Sequence, residues 1–100
     1  MRPVRPLPDP QQQRRRPLLD PADLGDEAER WFRTGLEWAE RERCPVEQGR
    51  NLQGLAEVAG QRGEQRRAMQ YLDRAGELFS HYGAKLYLDQ VLAKKQILRA

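Results

Sequence analysis

Residues 52–79 read LQGLAEVAGQRGEQRRAMQYLDRAGELF. Leu52, Leu55, Ala56 and Ala59 recur at steps of three and four, as do Ala68, Tyr71, Leu72, Ala75, Leu78 and Phe79. Each set makes the apolar stripe of an amphipathic helix. Gly63, between the two runs, supplies the left-handed residue that commonly stops a helix. Alanines at 56, 68 and 75 stand where two helices would touch, since a small side chain lets backbones approach. The stretch therefore predicts a helical hairpin with its turn at Arg62-Gly63-Glu64.

The same reading extends outward. A first helix is expected from about Ala22 or Asp26 to Arg43, with Asp23 or Asp26 as its cap and the acids at 26, 27 and 29 favouring its positive end. Its stripe holds Ala28, Trp31, Phe32, Gly35, Leu36, Trp38 and Ala39. Pro45 disfavours helix in the residue before it and is suited to the first turn of the next, expected to run to about Arg62 with Gly49 also on its packing face. A third helix is expected over about Glu64 to Tyr82, stopped by Gly83. A fourth runs from Ala84 to near the end, with Ala84, Tyr87, Leu88, Val91, Leu92 and Leu98 on one side.

The chain repeats itself after 40 residues. Ala28 falls on Ala68, Trp31 on Tyr71, Phe32 on Leu72, Gly35 on Ala75, Trp38 on Leu78 and Ala39 on Phe79. Leu52 falls on Leu92. The expected fold is thus all-α, one complete helical pair flanked by half units, over residues 22–100. Residues 1–21, with six prolines, three consecutive glutamines and Arg14-Arg15-Arg16, hold no periodic apolar pattern and read as a disordered Pro/Arg-rich tail.

Leu55-Ala56, Gly63-Glu64, and Ala68 and Ala75 with Leu72 between them resemble a tetratricopeptide repeat, closely over Arg50 to Ser80 and more loosely over 26–100. Ser80 replaces the proline that often closes such a repeat. The longer period and the ending HYGAKLYLDQVLAKK look like the C-terminal repeats of large bacterial signalling proteins with ATPase or nucleotide-cyclase domains. The resemblance implies a non-enzymatic scaffold that presents helical faces to a protein partner or to another copy of itself. It implies Leu52, Leu55, Ala56, Gly63, Ala68, Leu72 and Ala75 as repeat-packing residues. It also implies a binding groove along Arg50, Gln53, Glu57, Gln90 and Lys94. A second reading is a detached regulatory or capping segment of such a signalling protein.

Composition narrows the alternatives. The net charge of +3 resides in residues 1–21, where five arginines face Asp9 and Asp20; the remainder has 13 basic and 13 acidic side chains. Nucleic-acid binding would therefore rest on the arginine tail alone, without interleaved aromatics, and is the weakest alternative. His81 is the only histidine and Cys44 the only cysteine, so no catalytic residue, metal site or cofactor is expected, nor an internal disulfide. No membrane span or secretory leader is expected, and the expected compartment is the cytoplasm. Trp31 and Trp38, seven apart with Gly35 between them, are the expected anchor for a partner. Either they pack on the next helices of the same chain, or one of three covers is expected: the leucines at 18, 19 and 24 folding back, a second copy, or a different protein.

Overall fold

Three short turns of one design set the architecture. The computed structural model describes residues 21–99, with side chains from residue 25 onward. Its helices are α1 (Pro21–Arg41), α2 (Pro45–Gln61), α3 (Gln65–His81) and α4 (Lys85–Arg99). The fold is all-α, with no strand among the described residues. The disordered tail expected over 1–21 lies outside the described residues except for Pro21, which opens α1.

Each turn closes with the same backbone hydrogen bonds. The amides of Cys44, Glu64 and Ala84 reach back to the carbonyls of Ala39, Ala59 and Phe79, at 2.8, 2.9 and 2.8 Å. Arg43, Gly63 and Gly83 donate to Glu40, Gly60 and Ser80. This is the Schellman closure, which needs a left-handed residue just past the helix. Gly63 and Gly83 take it at φ 76° and 70°, and Arg43 takes it at φ 56°. The sequence places the end of the first helix at Arg43 and attributes it to Pro45. The helix instead stops at Arg41, because Arg43 occupies the glycine position of the other two turns. Asp26, expected as a cap, lies within α1 and pairs with Arg62.

The turns make sequence neighbours antiparallel. The beginning of α1 meets the end of α2 through Glu29 and Arg62, and the beginning of α3 meets the end of α4 through Gln65 and the Leu98 carbonyl. α2 and α4 are parallel: Gln53 meets Gln90 and Glu57 meets Lys94, a constant offset of 37. α2 is central, with α1 on one flank and α3 on the other, and α4 lies on α3 and touches α2.

The core sits between α2 and α3 and is closed by α4. Leu52, Leu55, Ala56, Leu72, Ala75, Phe79 and Val91 form its buried cluster. Ala39, Val58, Ala59 and Ala68 are buried as well. Burial of each large apolar side chain contributes about 1.5–3 kcal/mol. Phe79 is enclosed on two sides. Its ring stacks on Tyr87 of α4 with centroids 5.3 Å apart, and it lies against the bare Cα of Gly49 in α2. Leu92 departs from the inward side assigned to it: it is 49% exposed, on the flank of α4 that no further helix covers among the described residues.

Candidate partner-binding face

Trp31, Gly35 and Trp38 follow one another at four and three residues, so one face of α1 presents all three. α1 turns Phe32, Leu36 and Ala39 toward α2, and this orientation leaves the tryptophans outside. Trp31 is 74% exposed and Trp38 51%. With Ala28, Phe32, Thr34 and Asn51 of α2, the three residues line an open apolar cavity of about 640 Å³.

The floor of this cavity is built by two close approaches. Gly35 admits the Asn51 side chain, whose Cγ would lie 2.9 Å from a Cβ at that position. Asn51 is fixed by donating from Nδ2 to the Glu47 carbonyl at 2.8 Å. The Phe32 ring lies across Gly54. These contacts fix the face in shape while its tryptophans remain in water.

The groove residues are brought together, and they bond to each other. Gln53 Nε2 donates to Gln90 Oε1 at 3.3 Å, and Lys94 Nζ lies 3.0 Å from Glu57 Oε2. The Arg50 guanidinium sits 5.4 Å from the centre of the Tyr87 ring. A ligand on this strip would displace those partners, a requirement the tryptophan face does not impose. The repeat-packing residues Leu52, Leu55, Ala56, Ala68, Leu72 and Ala75 are all buried, and Gly63 forms the α2–α3 turn.

Two features escape a reading of the sequence. The first is an ionic cluster tying α1 to the end of α2. Glu29 accepts from Arg62 Nη1 at 2.8 Å and from Arg33 Nη2 at 2.8 Å, and Arg62 also pairs with Asp26. The Arg62 hydrogen bond, followed by that of Arg33, lowers the Glu29 carboxyl from its ordinary 4.5 to about 2. The expectation that Glu29 serves the positive end of the first helix is corrected: it lies two turns inside α1 and ties that helix to Arg62. Of its two arginines only Arg33, four residues on, is legible locally. The second feature is a cavity of about 620 Å³ between α3 and α4, bordered by Gly76, His81, Leu88 and Leu92 and crossed by the Lys95–Asp73 pair at 2.6 Å.

The remaining polar residues are peripheral. His81 is exposed in the last turn of α3, its ring edge-on to Tyr82 at 4.7 Å. Cys44 is partly buried at the α1–α2 turn. Among the described residues no group of three metal-ligating side chains gathers, and no helix is long and apolar enough to cross a membrane. Comparison with protein-family models, with curated proteins and with solved structures returned no match.

Proposed function

We propose that the chain is a non-enzymatic interaction module of tetratricopeptide-like build, working in the cytoplasm and binding a protein through the tryptophan face of α1. The observation that carries this reading is the pair of exposed indoles flanking a preformed apolar cavity. Two tryptophans left in water form an apolar patch that a folded chain gains by covering, and buried tryptophan is among the strongest interface anchors. The mechanism is burial of partner side chains against a face whose backbone is already ordered, so little conformational entropy is lost on binding. The single histidine and single cysteine lie apart from this cavity, which supports binding and not chemistry.

The test sets the two faces against each other. Trp31→Ala with Trp38→Ala, and separately Arg50→Ala with Lys94→Ala, are compared in sedimentation and in cross-linking to proteins of a cell extract. The tryptophan pair is expected to cause the larger loss of association. A larger loss from the charge pair assigns binding to the α2–α4 strip instead.

A further inference from the structure

We propose that the occupant of the tryptophan face is α4 of a second copy, so that copies join head to tail. The inference rests on the proposed binding role of that face and names its partner.

The 40-residue register identifies the missing element. Ala28, Phe32, Gly35 and Asn51 line the open face, and 40 residues later stand Ala68, Leu72, Ala75 and Val91. Those four are buried to 2% exposure or less, in the core that α2 forms with α3 and α4. The open face is therefore the counterpart of one that α2 covers. Among the described residues no helix of the α2 kind precedes α1, and α4 is the other helix of that kind. Among the described residues no helix of the α1 and α3 kind covers α4: Leu92, the counterpart of Leu52, is 49% exposed where Leu52 is 1% exposed. Leu92 is the apolar residue that α4 offers to the open face; the counterparts of the buried Gly49, Ala56 and Ala59 are Asp89, Gln96 and Arg99.

The register also fixes how the two helices would meet. In the antiparallel α2–α3 pair, Gly49 lies against Phe79. Carried over by 40 residues, Asp89 of one copy comes level with Ala39 of the next, which α2 already buries, and Leu92 comes level with Leu36 and Gly35, between the two tryptophans. Charge does not choose the pairing: Asp89 comes beside an α1 end that alternates Glu40, Arg41, Glu42 and Arg43, and Arg99 comes beside Asp26 and Glu29, which Arg62 already pairs. Lys85 opposite Arg43 and Lys95 opposite Arg33 are like-charge pairings in this register. The contact uses different surfaces on the two copies, so it does not stop at a two-fold dimer but builds a ring or an open chain of copies.

The experiment is sedimentation velocity with tryptophan emission on the full chain, using Trp31→Ala with Trp38→Ala to remove one end and Leu92→Arg to remove the other. All three side chains are exposed, so circular dichroism should be unchanged. Wild-type mass is expected to rise with concentration past the dimer as emission shifts to the blue. Each variant alone should associate roughly tenfold or more weakly. An equimolar mixture of the two should form a dimer and stop there, because each variant keeps the end that the other has lost. That complementation also shows both variants to be folded.

Three outcomes would overturn the inference. If Leu92→Arg dimerises like the wild type, the tryptophan faces meet each other; the proposed function then stands. A wild type monomeric up to about 1 mM excludes a useful contact between copies and leaves a foreign partner. If assembly survives loss of both tryptophans, the inference and the tryptophan-face reading fail together.

Discussion

The Phe79 ring occupies the space where Gly49 would carry a Cβ: a methyl there would lie 2.6 Å from Phe79 Cζ. The absent side chain in α2 is what allows a fully buried phenylalanine in α3, so the two helices are locked at this point by shape. Gly49→Ala is expected to cost about 1–3 kcal/mol through forced displacement of the ring. Gly60, in the same helix, has only Leu98 Cδ2 nearby, at 4.0 Å. Gly60→Ala should instead stabilise by about 0.5–1 kcal/mol, the ordinary gain of alanine over glycine in a helix. Urea midpoints of the two variants check the opposite signs, and equal signs would refute the locking contact.

Arg43 holds a left-handed conformation that glycine holds in the two other turns. A side chain there costs about 1–2 kcal/mol. Arg43→Gly should raise stability by about 1 kcal/mol, part of the relief being offset by the greater freedom of glycine in the unfolded chain. Gly63→Ala and Gly83→Ala should lower it by a similar amount. Thermal melts of the three variants decide, and a destabilised Arg43→Gly would contradict the shared turn geometry.

The Glu29 carboxyl titrates at about 2 in the folded chain against an ordinary 4.5. A depressed carboxyl stabilises the fold above its unfolded value, and that contribution is lost as pH falls from there toward the folded value. Glu29 and Arg62 keep 22% and 27% of their side chains in solvent, so the contribution is about 1 kcal/mol, as for water-facing pairs. Glu29→Gln is expected to flatten the stability profile between about pH 5 and pH 2 by that amount. Unchanged acid unfolding would mean that the cluster contributes nothing to stability.

Val91 is the fully buried side chain of α4, whereas Leu86, Leu92 and Ile97 are 69%, 49% and 66% exposed. Elements with few buried contacts open first. In dilute solution the amides of α4 should exchange hydrogen faster than those of α2, and Val91→Ala should loosen α4 at a cost of about 2 kcal/mol. Equal protection in α2 and α4 would show that the four helices open as one unit.

Much of the fold is legible in the amino-acid sequence. Steps of three and four mark all four helices, because an amphipathic helix must place its apolar side chains on one face. Gly63 and Gly83 mark two turns, since only glycine takes that backbone cheaply. The third turn stays hidden because Arg43 carries no sign of a left-handed conformation. Arg62 with Glu29 is likewise invisible, since residues 33 apart in sequence meet only after two helices have docked. Of the tryptophan face, the spacing of Trp31, Gly35 and Trp38 is readable, and their exposure is not.

The sequence by itself determined the helices, their 40-residue register and the small residues at their crossings, because these follow from local periodicity and side-chain size. Only the tertiary structure decided which apolar residues stay in water. α1 spends Phe32, Leu36 and Ala39 on α2, and one helix cannot turn both sides toward a single neighbour, so Trp31 and Trp38 remain outside.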